Sequence, residues 1–350
     1  MSAPRYSGLP VVWAAKAVRT GGPSIQQLSI DQTEVQSPGP GQVLVAIRAV
    51  SLNYRDLAVV TGRYPRGSSQ PVVIASDGAG EVVALGEGVT GWKIGDPVAG
   101  SFFQKWINGP FRREYGASAL GGPIDGVLTE FRVFDQEGLV RVPEHFSYAE
   151  AATLPCAALT AWNALVPACH VQAGDTVLLL GTGGVSIFGL QFAKLHGARV
   201  MITSSSDAKL ERARALGADE TINYRTTPDW DQEVLRLTGG QGADIVLEVG
   251  GGETFPKSMN SVRASGQIAV IGVLTGVAGT IPVGLIGLQT LSVHGIYVGS
   301  VAMFEDMNRA ITANRLRPVI DRTFAFDQTG DALRFLQSAQ HFGKIVISLE

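Results

Sequence analysis

The sequence predicts an α/β protein made of a β-rich part and a doubly wound parallel sheet. Three observations predict it: short strand-like runs fill the first 140 residues, apolar runs alternate with helical segments from about residue 150, and a glycine-rich turn joins the first of these runs to a helix. Short strands at regular spacing favour a compact β unit, whereas buried strands that alternate with helices favour parallel βαβ units. At roughly 150 residues per domain, a chain of 350 residues suggests two domains.

The β-rich part opens with a turn and a long apolar run. Residues 38–41, Pro-Gly-Pro-Gly, predict the turn, and the apolar run 43–50 that follows predicts a strand. Three further short runs predict strands at residues 72–74, 80–85 and 98–99.

Strands and helices alternate in the second part. The Ala- and Leu-rich residues 149–168 predict a helix. The strands expected after it are residues 176–180, 199–203, 244–249 and 267–271, and the helices are residues 187–196 and 207–216. Ser206 or Asp207 is expected to cap the last of these helices and Gly217 to end it. The stretch 268–297 is apolar but rich in Gly and Pro, which predicts buried strands and turns.

The pattern changes again near residue 300. A helix is expected at residues 304–314 and a closing strand at residues 344–348. We expect residues 302–350 to return to the β-rich unit.

Composition excludes several classes of protein. The formal net charge is −3, which argues against a nucleic-acid binder. The two cysteines cannot form a disulfide framework and fit a reducing compartment, and residues 1–6 carry no leader-like pattern, so we expect a cytoplasmic protein. No apolar stretch of about 18 residues lacks charges or clustered Gly and Pro, so no membrane span is expected.

The most specific local signal is the glycine-rich turn at residues 180–186, Leu-Gly-Thr-Gly-Gly-Val-Ser. Gly181 permits a tight turn, and Gly183 lets a pyrophosphate approach the backbone because it has no Cβ. The N-terminus of the following helix offers free N–H groups to the phosphates. Ser186 replaces the third glycine of the usual pattern, which predicts a less close approach of helix to strand. The alternative is a tight turn with no ligand.

The end of the second strand predicts the choice of cofactor. An acid there would bind the ribose 2′-hydroxyl of NAD, but this sequence has Ser204 and Ser205. A hydroxyl can donate to a 2′-phosphate, and Lys209 or Arg225, next to Tyr224, could supply positive charge. These residues favour NADP(H). Two alternatives stay open: the serines only cap a helix, or Asp207 binds an NAD ribose.

Several motifs together resemble the medium-chain dehydrogenase/reductase family, in its zinc-free quinone oxidoreductase-like branch. They include Ser-Leu-Asn-Tyr-Arg-Asp at 51–56 and Asp-Gly-Ala-Gly-Glu-Val-Val at 77–83, with further matches at residues 62–65, 95–98, 151–155, 160–162, 181–186, 191–194, 216–219 and 343–346. The match spans nearly the whole chain. It implies a β-rich GroES-like catalytic domain at 1–145 and 301–350, split around a Rossmann domain at 146–300.

The resemblance implies a set of cofactor-binding residues. They are Thr160, Gly181, Thr182, Gly183, Gly184, Val185, Ser204, Ser205, Lys209, Tyr224 and Lys344. It also implies a homodimer or tetramer formed by pairing the last Rossmann strands, here residues 291–297.

The resemblance also bears on zinc. Zinc-dependent members hold the metal with a Cys, a His and a second Cys, and the matching positions here are Asn53, Ser76 and Cys156. A catalytic zinc takes about three protein ligands, so a single cysteine is not enough. We expect no metal, with Cys156 as a small buried residue.

Without a metal, side chains have to assist hydride transfer directly. Tyr64 is the candidate proton donor, because metal-free enoyl reductases of the family use a tyrosine in a matching segment. Asn53 is expected to fix the substrate oxygen or the nicotinamide amide, and Phe102 and Trp106 to stack on a flat substrate. The alternative for Tyr64 is packing against the wall of a cleft, and the alternative for Phe102 and Trp106 is ordinary packing in the core or in a lid.

The sequence thus predicts an NADP(H)-dependent, zinc-independent oxidoreductase. Its substrate is expected to be a quinone or another conjugated carbonyl, with no nucleic-acid or membrane partner. A zinc-free alcohol dehydrogenase or enoyl reductase is the enzymatic alternative. An NADPH-binding sensor or structural protein is the non-enzymatic one.

Overall fold

The computed structural model describes residues 13–64 and 70–350 of the chain. The expectation about residues 1–6 and the Pro65 position of the 62–65 motif lie outside these residues. The described chain divides into two compact units, one within Met1–Cys156 and Gly299–Glu350 and the other within Ala157–Val298.

The strands of the described chain are numbered here in sequence order. They are β1 (Trp13–Thr20), β2 (Leu28–Val35), β3 (Gln42–Leu52), β4 (Asp77–Leu85), β5 (Pro97–Gly100), β6 (Phe131–Asp135), β7 (Leu139–Arg141), β8 (Thr176–Leu179), β9 (Arg199–Ser204), β10 (Glu220–Asn223), β11 (Ala243–Glu248), β12 (Val262–Val270), β13 (Ser292–Gly295), β14 (Ile320–Ala325) and β15 (Lys344–Ser348).

The helices alternate with the strands mainly in the second unit. They are α1 (Tyr54–Val60), α2 (Tyr148–Ala151), α3 (Leu159–Asn163), α4 (Gly184–Leu195), α5 (Asp207–Ala215), α6 (Trp230–Leu237), α7 (Phe255–Ser261), α8 (Val283–Leu288), α9 (Val301–Asn314) and α10 (Thr329–Gln337).

The first unit is built on a seven-stranded sheet in the order β14-β15-β3-β4-β5-β7, with β6 also paired to β3. β15 comes from the end of the chain and pairs antiparallel with β3, so that Ile345 lies opposite Leu52. β4 pairs with the other side of β3 and places Asp77 opposite Ser51. These pairings bring three strand ends together at one end of the sheet, namely the start of β15, the end of β3 and the start of β4.

The predicted boundary at residue 145 lies inside the first unit. α2 contacts β3, β4 and β15, which all belong to that unit. Ser147 caps this short helix by accepting from the backbone N–H of Glu150. The helix therefore packs on the β-rich unit, and the second unit starts at Ala157.

The second unit is a six-stranded sheet in the order β10-β9-β8-β11-β12-β13. All five pairings in it are parallel. Counted from β8, this is the strand order 3-2-1-4-5-6 of a doubly wound dinucleotide-binding fold. The sheet packs a continuous apolar core that includes Leu178, Met201, Val246 and Ile268. The strand order reverses between β8 and β11, and ligands bind at such points in this fold.

Three expectations about secondary structure differ from the structure. Residues 72–74, expected to be a strand, form only an isolated bridge between Val73 and Arg19. The helix expected at 149–168 is a chain of short α-helical and π-helical pieces, with Pro167 inside the last one. The stretch 268–297 is not wholly buried strands and turns, because it contains helix α8 and exposes Val283 and Leu288 to 70% and 85%. An apolar run alone does not distinguish a buried element from one that lies on a surface.

One helical segment, Tyr148–Ala168, is long and apolar enough to cross a membrane by length and composition alone. Most of it is buried within the protein. A core helix passes the same test, so this segment is weak evidence for a membrane span.

Candidate functional site

The glycine-rich turn lies between β8 and α4, as the sequence predicts. Gly181 has a φ of +72°, a conformation that favours glycine. Its backbone N–H donates to the Thr203 hydroxyl over 3.1 Å. Gly183 is the N-cap of α4, and a Cβ at Gly181 or Gly183 would meet no atom within 4 Å. The turn therefore presents backbone and open space at a helix N-terminus, which is the geometry that binds a pyrophosphate.

Ser186 and Gly189 explain how α4 approaches the sheet. The Ser186 hydroxyl donates to the Leu180 carbonyl over 2.6 Å, so the extra side chain turns back onto the preceding strand. A Cβ at Gly189 would come within 3.0 Å of Leu247 and 3.1 Å of Leu179. The sequence indicated a loss of close packing at Ser186, and the structure places the close approach three residues later.

The end of β9 brings together several of the predicted cofactor residues. Ser204 is 3% exposed, and its hydroxyl lies 3.5 Å from that of Thr182. Its carbonyl accepts from the backbone N–H of Tyr224, whose side chain is exposed. Ser205 follows Ser204 and is half-buried. The turn after β8 and the end of β9 therefore bring polar groups together at the place where the ribose of a dinucleotide lies in this fold.

Asp207, the acid that could compete for an NAD ribose, already has a partner. Its carboxylate accepts from the Asn223 side-chain amide over 2.7 Å. Lys209 lies in the first turn of α5, half-buried. Arg225 is exposed, and its backbone N–H donates to the Asn223 side chain.

The remaining predicted residues of this unit lie on helices. Gly184 and Val185 form the first turn of α4. Thr160 lies on α3 and is 3% exposed. The assignment of all these residues to a cofactor stays a prediction.

Glu248 is a buried carboxylate that the sequence analysis missed. It ends β11, beside the point where the strand order reverses. One of its oxygens accepts from the N–H groups of Gly250 and Gly251 and from the Thr254 hydroxyl, and the other accepts from Ser258. Glu248 therefore fixes the loop that follows β11. A lone acid after an apolar run gives no signal of this role in the sequence.

A largely buried group of ionisable and polar residues lies in the first unit, at the end of the sheet where β3 ends and where β4 and β15 begin. We call it the polar centre and define it as Asn53, Asp56, Asp77, Cys156 and Lys344. Lys344 starts β15, Asp77 starts β4, and Asn53 follows β3 as the N-cap of α1. Cys156, expected to be buried, is half-buried as a whole residue. Strand pairing thus collects residues that are far apart in the sequence.

Hydrogen bonds join the members of the polar centre. The Lys344 ammonium donates to the Leu52 carbonyl over 2.7 Å and to Asn53 Oδ1 over 2.6 Å. Asp77 accepts from the Ser76 hydroxyl over 2.6 Å and from the Cys156 backbone N–H over 2.9 Å. Lys344, predicted to bind a cofactor, thus has two protein acceptors within the first unit.

Asp56 closes the start of α1. Its Oδ2 accepts from the Asn53 backbone N–H over 2.8 Å, which is half of a capping box. Its Oδ1 is buried and has no hydrogen-bond partner among the described residues. The side-chain Nδ2 of Asn53 is also buried without a hydrogen bond of normal geometry to a described residue. Within the described residues, the polar centre therefore holds a buried donor and a buried acceptor that lack a hydrogen bond of normal geometry.

Burial shifts the pKa values of the polar centre. It raises the pKa of Asp56 to about 6, although the Arg55 charge opposes the shift. Burial also raises the pKa of Asp77 and lowers that of Lys344. The positive charge of Lys344 opposes the first shift, and the negative charge of Asp77 opposes the second. The pKa of the Cys156 thiol is raised by burial and by the Asp77 charge. Such shifts mark the polar centre as a candidate reactive site.

Tyr64 and Phe102 both lie against Arg55. The guanidinium carbon is 5.0 Å from the centre of the Tyr64 ring and 4.8 Å from that of Phe102. Tyr64 is half-buried, whereas Phe102 is 1% exposed. Arg55 thus contacts both a predicted catalytic residue and a predicted substrate residue, although the sequence gives no signal of this role.

Trp106 lies in an aromatic cluster of the same unit. It is 3% exposed, and its indole N–H donates to the Gly109 carbonyl over 2.9 Å. Its ring stacks with Tyr115 at 6.4 Å and meets Phe111 edge-on at 5.1 Å. These contacts fit the packing alternative, and contact of Phe102 or Trp106 with a substrate stays a prediction.

The residues of the polar centre do not fit a catalytic zinc. No set of three or more His, Cys, Asp or Glu side chains is placed to hold a metal within residues 13–64 and 70–350. At the three positions where the family's ligands are expected, Asn53 binds an ammonium, Ser76 binds a carboxylate and Cys156 has a raised thiol pKa.

Two family models match the chain. The alcohol dehydrogenase GroES-like domain matches residues 39–144, and the zinc-binding dehydrogenase model matches residues 184–313. These agree with the α/β fold that the sequence predicts, a GroES-like unit and a Rossmann-type parallel sheet.

Known proteins resemble the chain over nearly its full length. A zinc-type alcohol dehydrogenase-like protein of Schizosaccharomyces pombe is 45% identical over 93% of this chain and 96% of the relative. A quinone oxidoreductase of Pseudomonas aeruginosa is 31% identical over 89% of this chain and 86% of its own. A solved NAD-dependent alcohol dehydrogenase is 34% identical, with a TM-score of 0.86 over 96% of this chain and 100% of that one.

Proposed function

Because the chain belongs to the medium-chain dehydrogenase/reductase family and is an oxidoreductase of that family, we propose that it transfers a hydride between NADP(H) and a quinone or other conjugated carbonyl without zinc. The nicotinamide cofactor of the family supplies the hydride when it is bound. The single observation that carries the proposal is the buried side-chain amide of Asn53: its Oδ1 accepts from the Lys344 ammonium, and its Nδ2 has no hydrogen bond of normal geometry to a described residue.

Asn53 is the group that we assign to the substrate oxygen. A hydride added to a conjugated carbonyl moves an electron pair onto the oxygen, and a fixed donor stabilises the negative charge that develops there. The bond from Lys344 to Oδ1 keeps Nδ2 oriented as the donor. The Asn53 amide also lowers the pKa of Asp77, but Nδ2 carries two N–H groups, which leaves one for a substrate. No zinc is needed for this role.

We assign to Tyr64 the role of proton donor. Reduction of a conjugated carbonyl takes up one hydride and one proton, and a positioned phenol can supply the proton. Tyr64 is half-buried beside Arg55. An enone depends on this proton more than a quinone does, because the reduced quinone ring spreads the charge. Tyr64 therefore favours the enoyl reductase alternative as the second candidate.

The cofactor preference rests on the end of β9. Ser204 stands where an acid would exclude a 2′-phosphate, and Asp207 is bonded to Asn223. These two observations support NADP(H). The NAD dependence in the name of one solved relative belongs to that protein.

The assembly and location that we propose follow from other features. The exposed apolar side chains of Val293 and Tyr297 at the sheet edge support a homodimer or tetramer. The free thiols Cys156 and Cys169 support a reducing, cytoplasmic location.

One set of assays tests the proposed function. The purified protein is incubated with a chelator, analysed for metal, and assayed with NADPH or NADH against 1,4-benzoquinone, an enone and a simple alcohol with NADP. We expect turnover of the quinone or enone that survives the chelator, with less than one zinc per ten chains. Tightly held zinc at about one per chain, or turnover of the alcohol alone, would contradict the proposal.

A further inference from the structure

The guanidinium of Arg55 is held by one hydrogen bond and by contacts with two aromatic rings. It lies on α1, and its Nη1 donates to the Leu120 carbonyl. The aromatic rings of Tyr64 and Phe102 lie 5.0 and 4.8 Å from the guanidinium carbon. One hydrogen bond and two aromatic contacts therefore restrain the plane of the group.

The other edge of the guanidinium is unused. Nε and Nη2 of Arg55 are buried, and neither has a hydrogen-bond partner among the described residues. The charges of Arg55 and Asp56 attract each other. Even so, Asp56 Oδ1 has no hydrogen-bond partner among the described residues, so it does not bind Nε or Nη2 of Arg55. A buried donor without an acceptor costs roughly 1–3 kcal/mol, and more when it is charged.

The backbone at Gly122 leaves room for the guanidinium. A Cβ on Gly122 would lie 2.3 Å from Arg55 Nη2, so the guanidinium occupies space that only glycine leaves at that position. Nε and Nη2 are the two donors of one edge, parallel and coplanar, and such an edge matches the two oxygens of a carboxylate.

We propose that Arg55 binds the carboxylate of a conjugated substrate through Nε and Nη2. This inference rests on the proposed function, and it narrows the substrate class to conjugated carbonyl compounds that also carry a carboxylate. The ring of Tyr64, the proton donor that we propose, lies 5.0 Å from the same guanidinium carbon. The adjacent aromatic rings of Tyr64 and Phe102 favour a flat, unsaturated acid over a tetrahedral phosphate.

A pair of substrates that differ only in charge tests the proposal. The probes are trans-3-benzoylacrylate and its methyl ester, with NADPH as the hydride source. The variants are Arg55→Lys, which keeps the charge but loses the paired N–H groups, and Gly122→Ala, which displaces Nη2 by steric contact while the arginine itself is kept. Arg63→Lys is the matched control, because Arg63 also lies over a tyrosine ring, that of Tyr54, but is exposed.

We expect the wild type to prefer the acid to the ester in kcat/KM. Arg55→Lys and Gly122→Ala should each lower this acid-to-ester ratio by about 10- to 100-fold, the loss that follows from breaking hydrogen bonds to a charged group. Arg63→Lys should leave the ratio unchanged. Equal use of acid and ester by the wild type, or an equal loss for both probes in the variants, would overturn the proposal.

A binding measurement separates this inference from the proposed function. The saturated acid 3-benzoylpropionate and its methyl ester are titrated into the wild type by calorimetry. This measurement depends neither on turnover nor on whether a variant folds. Tighter binding of the acid supports the inference even if no quinone or enone is reduced. Turnover of neutral enones together with equal binding of the acid and the ester refutes the inference alone and leaves the proposed function standing.

Discussion

Lys344 donates to the side-chain oxygen of Asn53 over 2.6 Å, and this bond decides which end of the Asn53 amide remains available. Because Oδ1 accepts from the ammonium, Nδ2 is left as a buried donor. The bond joins the first residue of β15 to the N-cap of α1. Lys344 is thus a positioning residue for the oxygen-binding group that we propose.

Lys344→Met should destabilise the protein. The substitution leaves the Leu52 carbonyl, Asn53 Oδ1 and the Asp77 charge without their cation, and breaking a buried polar pair in this way costs about 3–5 kcal/mol. Urea unfolding of wild type and variant measures the loss. Lys344→Arg keeps a cation at this position but replaces the compact ammonium with a planar fork, so it should retain only part of the stability.

NADPH titration of Lys344→Met tests the predicted cofactor role of Lys344. A dissociation constant raised tenfold or more, in a variant that is still folded, would support cofactor binding by Lys344. An unchanged constant with a lowered kcat would leave only the positioning of Asn53.

Stability should fall as the pH rises through the range in which Asp56 ionises. Its pKa is raised by burial from 3.8 to about 6 in the folded protein. The folded state therefore keeps the proton that the unfolded state releases, and the free energy of unfolding decreases between about pH 4 and pH 6 and then levels off. A shift of this size corresponds to roughly 2–3 kcal/mol.

Asp56→Asn isolates this effect. The amide oxygen can still accept from the Asn53 N–H, and the amide nitrogen replaces an oxygen that has no partner among the described residues. We expect the variant to match the wild type near pH 4.5 and to exceed it by about 1–3 kcal/mol at pH 7.5. Parallel stability curves in urea at both pH values would show that Asp56 does not titrate in this range.

The dinucleotide-binding sheet could be predicted because its signals are local. The glycine-rich turn, the strand before it and the helix after it occupy one continuous stretch, and their order along the chain gives the βαβ unit directly. Ser206, one of the two alternatives expected, occupies the N-cap position of α5 without a side-chain capping hydrogen bond, and Gly217 follows the helix end with a φ of +102°. Such features need no knowledge of distant contacts.

The polar centre could not be assembled from the sequence. Lys344 lies 291 positions from Asn53, and Cys156 lies 79 positions from Asp77. The first pair meets only because β15 pairs with β3, and an antiparallel pairing between the two ends of a chain leaves no local pattern. The motif at 51–56 marked Asn53 as important, but nothing in it indicates that Arg55 has an unused edge.

Ser204→Asp should reverse or abolish a preference for NADPH. The new carboxylate would repel the 2′-phosphate and accept from a ribose hydroxyl instead. We expect kcat/KM for NADPH to fall by about tenfold or more while that for NADH holds or rises, since two charges about 4 Å apart near a surface interact by roughly 4 kcal/mol. Ser204→Ala is the control, because it removes the hydroxyl without adding charge. Equal kcat/KM for both cofactors in the wild type would contradict the assignment.

β13 should form the contact between subunits. It is the last strand of the six-stranded sheet, Val293 within it is 41% exposed, and Tyr297, two residues after its end, is 42% exposed. An exposed apolar edge strand invites pairing with a second copy. We expect a dimer or tetramer by sedimentation at micromolar concentration, and Val293→Lys should shift it to monomer. Ile94→Lys, at a comparably exposed apolar residue in the first unit, should leave the assembly intact.

Tyr64→Phe should separate the two enzymatic interpretations. If the phenol gives a proton to a developing enolate, its loss should lower kcat for an enone by about a hundredfold, the usual contribution of general acid catalysis. For a quinone the loss should be small, because the reduced ring stabilises its own charge until water protonates it. The ring itself remains in the variant, so the contact with Arg55 at 5.0 Å is retained and a fall in kcat reports on the hydroxyl.

The KM for NADPH serves as the internal control for Tyr64→Phe. The residues that we assign to the dinucleotide lie mainly in the second unit, whereas Tyr64 lies in the first, so this KM should change little. A variant that reduces both enone and quinone at the wild-type rate would show that Tyr64 only packs beside Arg55. The proton would then come from solvent or from another group, and Asp56, protonated in the folded state below about pH 6, would be the next residue to substitute.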